Sequence, residues 1–326
     1  MTPTVSVVIP LHNGAKYIET AVRSVLEQKS VHVQMIIVDD GSSDNGIDIC
    51  RNVAPEGTFL RTKGLGVACA RNLGLSVADA DWVAFLDQDD VWFPDRLKSA
   101  LFVKGAADVV VTGETSFGLD QDRELLRAAN NYWPSVWIRD EEDVVPWALA
   151  GRARVDCVPT RVEFGHMLRR PIALTTSFVC ARDFLTTIGG FPVMSRNVDD
   201  HLMLVNAARL GHVLHVDQQT VGYRIRPDST YQKGNRWWPY LTATLASARG
   251  GWAFSEEGFE TARHLLTDLG RRSDSAPDVL AMGQLLGINK RTLGGAILKG
   301  WLNGRRHELG GSPDPPPNNG FSGRYF

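Results

Sequence analysis

The sequence predicts an α/β fold in which a mostly parallel central sheet is flanked by helices and followed by a helical C-terminal extension. Two observations carry this prediction. Short apolar runs with little polar alternation recur along the N-terminal part of the chain, as is typical of parallel strands covered on both faces. Segments with apolar residues at helical spacing separate these runs, so right-handed βαβ units can join consecutive strands.

These two patterns, the apolar runs and the segments with helical spacing, predict the N-terminal strands and helices. The predicted strands are 5–9, which ends at Pro10, and then 33–38, 58–60, 82–86 and 107–111. The predicted helices are 15–28 and 67–78, and a further helix starts close to Pro94.

The pattern loosens over residues 112–170 and returns at residue 173. From there the sequence predicts a strand over 173–181, a helix over 182–188, a helix opened by Asp199 and Asp200, and strands over 212–216 and 220–226. Helical patterns continue over 231–310, and a Pro-rich stretch predicts a disordered tail over 311–326.

Composition and charge exclude several classes of protein. Among 326 residues, 35 Lys and Arg against 37 Asp and Glu give a net charge of −2, which argues against nucleic-acid binding by bulk basicity. The 4 cysteines form no Cys-x-x-Cys pair, so a disulfide scaffold or zinc-thiolate site is not expected. Without a signal-peptide or membrane-spanning pattern, we expect a cytoplasmic protein that could also lie on the inner face of the cell membrane.

Acidic clusters follow two of the predicted strands. Asp39-Asp40 comes after one strand and Asp87-Gln88-Asp89-Asp90 after another, and ligands of such sheets bind beyond the carboxyl ends of the strands. Carboxylate oxygens suit Mg²⁺ or Mn²⁺, which share their coordination with water and substrate phosphates. The clusters therefore predict a cleft for a metal-bound diphosphate; each cluster alone could equally be a solvated turn.

Four segments in order resemble the successive motifs of family 2 glycosyltransferases. They are Ser6-Val-Val-Ile-Pro-Leu-His-Asn13, Ile36-Ile-Val-Asp-Asp-Gly-Ser-Ser-Asp44, Gly64-x-Gly-x-Ala-x-Ala-Arg-Asn-x-Gly74 and Phe85-Leu-Asp-Gln-Asp-Asp90. The resemblance implies a GT-A fold and an inverting enzyme that uses a nucleotide-diphosphate sugar, commonly a UDP-sugar, with Mn²⁺ or Mg²⁺. It also implies a glycan or lipid-linked glycan acceptor, as in polysaccharide biosynthesis of the cell envelope.

The same resemblance divides the chain and implies residue roles. Residues 1–111 would be the nucleotide-sugar-binding half and residues 112–230 the acceptor-binding half, with 112–170 either an insertion on the acceptor side or a surface subdomain. The nucleoside would contact Pro10, His12 and Asn13, while Asp39 accepts from the base and Asp40 organises its loop.

In the fourth motif, the resemblance implies that Asp89 binds the metal directly and that Asp87 lies near the ribose and the metal. Gln88 would lie beside the nucleotide, and Asp90 is a further acidic candidate. Arg71 lies near the nucleotide in similar proteins; the alternative is a partner on a helix surface.

A general base is expected from the second half of the chain. Asp199 and Asp200 follow Gly189-Gly190-Phe191 and look like the family's Glu-Asp motif, so Asp200 is preferred over Asp199 as the base. Acidic residues also favour a helix N-terminus through the helix dipole, which is the alternative interpretation.

The segment Tyr223–Thr230 resembles the part of the family that often closes over the diphosphate. Arg224, Arg226 and Ser229 would then contact phosphate, because the guanidinium fork matches phosphate oxygens. The alternative is a hairpin edge with solvated arginines.

Two other functional classes and one C-terminal stretch give further interpretations. A dinucleotide-binding dehydrogenase is disfavoured, because no Gly-x-Gly-x-x-Gly follows the first strand and Cys69 takes the third glycine's place after Gly64 and Gly66. The alternative function, a non-catalytic protein of the same fold that binds a sugar nucleotide or a glycan, is compatible with the sequence. The basic amphipathic stretch 290–307 could contact a membrane peripherally or pack on the catalytic domain.

Overall fold

The computed structural model describes residues 2–119, 135–138, 158–164, 167, 173–193 and 199–226. Apart from Met167, all of them belong to one compact unit. The predictions for residues 231–326, for the stretch 290–307 and for Ser229 lie outside the described residues, as does most of 112–170.

The described strands and helices alternate through the N-terminal part of the chain, as predicted. The strands are β1 (Thr4–Leu11), β2 (His32–Asp39), β3 (Thr58–Arg61), β4 (Trp82–Phe85), β5 (Val91–Trp92), β6 (Val109–Leu119), β7 (Ser135–Ile138), β8 (Thr160–Arg161), β9 (Phe178–Ala181) and β10 (Val213–Arg224). The helices are α1 (Ile18–Leu26), α2 (Gly46–Val53), α3 (Val67–Ser76), α4 (Arg96–Val103), α5 (Arg182–Thr187) and α6 (Asp199–Leu210), with a 3₁₀ turn at Thr175–Ser177.

The described strands form one sheet in the order β3-β2-β1-β4-β9-β6-β10-β5, with β7 added beside β6 and β8 beside β10. The strands β3, β2, β1 and β4 are parallel, and so are β6 and β10. Strand β9 runs antiparallel to both β4 and β6 and joins the two parallel groups. The mostly parallel α/β sheet is thus confirmed, and the carboxyl ends of β1 to β4 meet at one edge.

Helix α3 lies close against β1 because it carries a glycine at the contact. A Cβ atom added at Gly74 would lie 2.3 Å from Cγ1 of Val8, which is inside van der Waals contact. Val8 is fully buried. Since Arg71 is on the same helix, this close approach sets how far its side chain can reach across the edge of the sheet.

The prediction that Pro10 ends the first strand is wrong, because β1 continues through Pro10 to Leu11. The carbonyl of Val8 accepts from the N–H of Leu86. In a strand the backbone N–H and C=O groups of every second residue point to the same side, so those of position 10 also point toward β4. Strand β4 ends at Phe85. Proline therefore removes no ladder hydrogen bond at this position.

Three other predictions of strands need correction. The predicted strand over 173–181 is a 3₁₀ turn followed by β9, because Trp92 Nε1 and Arg96 Nη2 both donate to the carbonyl of Thr176 and hold the chain in a turn. The strands predicted over 212–216 and 220–226 are one strand, β10, with register irregularities between Val216 and Val221. The strand predicted over 107–111 starts at Val109 and runs on to Leu119.

Candidate active site

The predicted site residues gather at the carboxyl edge of β1, β2 and β4. The loops after these strands carry His12, Asp39 with Asp40, and the acidic run 87–90. Helix α6 brings Asp199 and Asp200 to the same place, since Asp199 shares Arg71 with Asp87. The end of β10 brings its arginines to Asp89 and Asp90.

Asp40 holds the loop that leads into α3. Its Oδ1 accepts from the N–H of Leu65 at 2.7 Å, its Oδ2 accepts from the N–H of Gly66 at 2.8 Å, and the hydroxyl of Thr62 donates to Oδ1 as well. Burial raises the pKa of Asp40, but these hydrogen bonds outweigh it and leave the pKa below its ordinary value. Asp40 is thus an ionised carboxylate that links the end of β2 to the loop at Gly64–Gly66.

Asp39 precedes Asp40 and is almost fully buried. Its Oδ1 accepts from the N–H of Ser42 at 2.8 Å, and its Oδ2 lies 3.4 Å from Nε of Arg61. The side chain of Arg61 is 65% exposed and also donates to the carbonyl of Ser42 at 3.2 Å, so a ligand that displaces it would replace these two contacts. A base N–H could then reach Asp39, which is the hydrogen bond that the resemblance implies.

His12 and Asn13 are exposed, while their backbone is held on two sides. Gln88 accepts from the N–H of His12 at 2.8 Å and donates to its carbonyl at 3.1 Å. A Cβ atom at Gly14 would lie 2.3 Å from Oε1 of Gln88, so the pairing requires glycine there. The His12 ring donates from Nδ1 to the carbonyl of Asp40 at 2.8 Å when that nitrogen carries the proton. Gln88 therefore acts here on the loop after β1.

Arg71 is buried between the acidic run and α6. Its Nη2 donates to Oδ1 of Asp87 and its Nη1 to Oδ2 of Asp199, both at 2.6 Å, and its guanidinium lies 5.3 Å from the ring centroid of Phe191. Burial lowers the pKa of Arg71, but the charges of Asp87, Asp199 and Asp200 outweigh it and raise the pKa. The interpretation of Arg71 as a helix-surface partner is wrong, because both partners are distant in sequence.

Asp200 is held at the start of α6 by hydrogen bonds to both of its carboxylate oxygens. Oδ1 accepts from the N–H of His201 at 2.7 Å and Oδ2 accepts from the hydroxyl of Thr175 at 3.2 Å. Burial, followed by the charge of Asp199, raises the pKa of Asp200 to about 6. Asp199 is bound to Arg71 instead, so the two neighbouring acids have different environments. A half-buried carboxylate with this pKa suits a general base near neutral pH.

The acidic run and the end of β10 are tied together at three points. Oδ2 of Asp89 lies 2.6 Å from Nε of Arg226, its carbonyl accepts from Nε of Arg224 at 2.8 Å, and Oδ1 of Asp90 accepts from the N–H of Arg224 at 2.9 Å. Burial raises the pKa of both Asp89 and Asp90, and neighbouring carboxylates raise it further, against the nearby arginines. The interpretation of a solvated hairpin edge is wrong, since Arg224 is buried within a wide sheet.

The donor set fits a divalent cation that completes its coordination with other ligands. Asp87 and Asp89 offer carboxylate oxygens, and the side chain of Asp87 is 33% exposed, so a solute can reach it. Over the part of the chain that the structure describes, no group of three or more His, Cys, Asp or Glu side chains could hold a metal ion alone. Mg²⁺ and Mn²⁺ bound through one or two carboxylates plus phosphates and water have such incomplete protein shells.

Sequence comparison decides the family. A model described as "Glycosyl transferase family 2" matches residues 6–171, which is more than half of the chain. The chain belongs to glycosyl transferase family 2. The putative teichuronic acid biosynthesis glycosyltransferase TuaG of Bacillus subtilis is 43% identical over 103 residues, which are 30% of this chain and 41% of TuaG. The uncharacterized glycosyltransferase YibD of Escherichia coli is 31% identical over 152 residues, 42% of this chain and 44% of YibD.

The matched region thus spans less than half the length of these family 2 relatives. Solved structures agree on the fold. TarS 1–349 of S. aureus in complex with UDP-GlcNAc has a TM-score of 0.56 at 15% identity, covering 94% of this chain and 91% of that one. The mannosyltransferase PcManGT of Pyrobaculum calidifontis, in complex with GDP-Man and Mn²⁺, has a TM-score of 0.54 at 18% identity, covering 94% and 88%. At these identities the likeness supports the GT-A fold.

Sequence reasoning missed several residues that shape this family 2 site. Arg61 ends β3 and contacts Asp39, and Thr62 follows it and contacts Asp40. The rule that led to the acidic clusters could have found both residues, since β3 ends at the same edge. Tyr17 and Thr175 had no such signal, because their contacts depend on how distant segments pack. None of the described helices is long and apolar enough to span a membrane.

Proposed function

We propose that this chain is an inverting, metal-dependent glycosyltransferase. It transfers a sugar from a nucleotide-diphosphate sugar, in the first instance a UDP-sugar, to a hydroxyl group of a glycan or glycolipid. Residues 1–111 would bind the donor and residues 112–230 the acceptor. The membership of family 2 and the nucleotide-sugar complexes of TarS and PcManGT support the donor class.

One observation carries the proposal. Arg71 bonds at the same time to Asp87, in the acidic run, and to Asp199, the neighbour of Asp200. One buried cation therefore connects the acidic run suited to a metal-bound diphosphate to the residue next to the carboxylate suited to a base. A nucleotide-binding protein without catalysis would need no carboxylate of raised pKa connected to the acidic run in this way.

On the donor side, each residue has a task that its position supports. Asp39 would accept from the base, and Pro10, His12 and Asn13 would border the nucleoside. Asp87 and Asp89 would hold Mn²⁺ or Mg²⁺, which when bound neutralises charge on the departing diphosphate. Arg224 at the end of β10 and Arg226 just beyond it contact the same acidic run and would contact phosphate oxygens.

On the acceptor side, Asp200 would remove the proton of the attacking hydroxyl. The acceptor oxygen forms a bond to the anomeric carbon while the bond from that carbon to the phosphate oxygen breaks and its electron pair leaves with the diphosphate. Attack from the face opposite the leaving group inverts the centre, and no covalent enzyme intermediate is needed. The contacts to Thr175 and His201 fix the carboxylate for this task.

A donor screen tests the class of substrate. Thermal unfolding of the full chain is followed with UDP-sugars and GDP-mannose, each with Mn²⁺ and with EDTA. A ligand that binds the folded state raises the unfolding temperature with its concentration. We expect one UDP-sugar to stabilise the protein with Mn²⁺ and the effect to disappear with EDTA.

Release of UDP from that donor then separates an enzyme from a binding protein. Turnover that is lost with EDTA supports the proposal, while donor binding without any turnover supports the non-catalytic alternative. The similarity to TuaG supports an acceptor from the cell envelope, so polymers of that origin are the first acceptors to try. Stabilisation by no nucleotide sugar at all would contradict the proposal.

A further inference from the structure

Asp89, proposed above as a ligand of the divalent cation, already has an arginine bound to it. Oδ2 of Asp89 lies 2.6 Å from Nε of Arg226, and the two side chains are only 15% and 16% exposed. Two positive charges at one carboxylate oppose each other. A divalent cation that approaches Asp89 must therefore overcome Arg226 as well as give up part of its own hydration.

This ion pair is separable from the contacts that hold the surrounding backbone. Arg224 donates through its N–H to Asp90 and through its Nε to the carbonyl of Asp89, and its guanidinium lies 4.7 Å from the ring centroid of Phe117. The register between the acidic run and β10 thus does not depend on Arg226. The contacts of Arg224 would therefore remain in place if the Arg226 side chain left Asp89.

The donor offers Arg226 another anion. A diphosphate at Asp87 and Asp89 would bring phosphate oxygens close to the guanidinium, and the planar fork of arginine binds phosphate as well as carboxylate. The ring of Tyr17 lies 5.5 Å from the guanidinium carbon of Arg226. An aromatic face accepts a cation over a range of positions, so it can support the guanidinium in either pairing.

We propose that Arg226 competes with the divalent cation for Asp89 and that the diphosphate of the donor relieves this competition by accepting the guanidinium. The inference rests on the proposed function and deepens it. Without nucleotide the cation binds weakly, and with nucleotide it binds strongly, because the guanidinium then has a new partner. Coupling between two ligands is reciprocal, so the cation strengthens nucleotide binding by the same factor.

Manganese binding to the full-length protein tests this directly. Free Mn²⁺ is followed by electron paramagnetic resonance during titration of wild type and Arg226→Gln, with and without UDP. For Mn²⁺ alone we expect Arg226→Gln to bind about tenfold more tightly than wild type, as for the loss of one competing ion pair. The factor by which UDP tightens Mn²⁺ binding should fall about tenfold in the variant.

Two further variants make the result decisive. Arg23→Gln removes the same charge from an exposed i,i+4 pair on α1 and should leave Mn²⁺ binding unchanged. Asp89→Asn should abolish the tight binding with UDP; retained binding would overturn the proposal. So would an Arg226→Gln variant that melts like wild type but binds Mn²⁺ no more tightly. If UDP binds to none of these proteins, the proposed donor fails, while the titration with Mn²⁺ alone still decides whether Arg226 competes for Asp89.

Discussion

Arg71 and Asp199 lie 128 positions apart in the chain, yet Nη1 of Arg71 donates to Oδ2 of Asp199 at 2.6 Å. The other terminal nitrogen donates to Asp87 at the same distance. Arg71 and Asp199 are both buried. One guanidinium therefore joins the loop proposed to hold the diphosphate to the helix that carries the proposed base.

Replacing this guanidinium should cost both stability and activity. Arg71→Met keeps the apolar stem but leaves Asp87 and Asp199 without their shared cation, and breaking a buried pair in this way costs about 3–5 kcal/mol. We expect urea unfolding to show a loss of that order. Arg71→Lys keeps the charge but cannot reach both acids with a planar fork, so its turnover should fall at least about 100-fold.

The control for Arg71 is Arg51, which pairs with Asp48 on the exposed face of α2. Arg51→Met should change stability by less than about 1 kcal/mol. Equal effects of Arg71→Met and Arg51→Met would contradict the bridging role of Arg71.

Ionisation of Asp200 should set the acid limb of the pH profile of kcat/KM. The base acts when ionised, and burial and the charge of Asp199 raise its pKa to about 6, so kcat/KM should rise with pH through that value and then level off. Asp200→Asn should lower kcat by about 10²–10⁴-fold with UDP binding retained. Undiminished turnover would reject Asp200 as the base.

Thr175 should act on the same profile through Asp200. Its hydroxyl donates to Oδ2 of Asp200, and a hydrogen bond to the charged form lowers a carboxyl pKa. Thr175→Val keeps the shape but removes the donor, so the acid limb should move to higher pH. A fall in kcat at every pH without any displacement of the limb would mean that Thr175 serves only packing.

Much of this site follows from the sequence, and the remainder depends on buried polar contacts. The apolar runs before Asp39 and Asp87 predicted where those acids would lie. The sequence predicts that this strand ends at 111, whereas β6 runs on to Leu119. The apolar pattern is broken by polar residues that are all buried: Thr112, Glu114, Thr115 and Ser116. Their burial depends on partners such as Ser177 and Thr220 that only the folded sheet brings close.

Glu114 should make stability depend on pH. Burial raises the pKa of its carboxyl from 4.5 to about 8, against opposing hydrogen bonds from Ser177 and Leu174. A raised pKa means that the folded state binds the proton more tightly, so this contribution to stability is fully present below about pH 4.5 and is lost as pH rises through about 8.

Glu114→Gln keeps the neutral shape at every pH and should remove this dependence. Between pH 5 and pH 9, urea unfolding should show wild type losing on the order of several kcal/mol relative to the variant. Glu56→Gln, at an exposed position, is the control and should follow wild type. Parallel curves for wild type and Glu114→Gln would contradict a buried neutral Glu114.

We expect that position 74 must be glycine because a larger side chain would clash with Val8. Alanine is favoured over glycine in a helix by about 1 kcal/mol, but its Cβ would lie 2.3 Å from Val8 Cγ1. Gly74→Ala should therefore destabilise the protein, and Val8→Ala should recover part of the loss in the double variant. Effects that simply add, measured by chemical denaturation, would show that the contact between α3 and β1 does not limit this position.

The central claim is that the acids at this edge of the sheet hold a cation together with a sugar nucleotide's diphosphate. Crystals soaked with Mn²⁺ and UDP test it by anomalous scattering from manganese. We expect a manganese peak at about 2.0–2.2 Å from a carboxylate oxygen of Asp89, with the diphosphate bound to the same ion and the uracil beside Asp39. A manganese-free Asp89, with the nucleotide bound elsewhere on the protein, would contradict it.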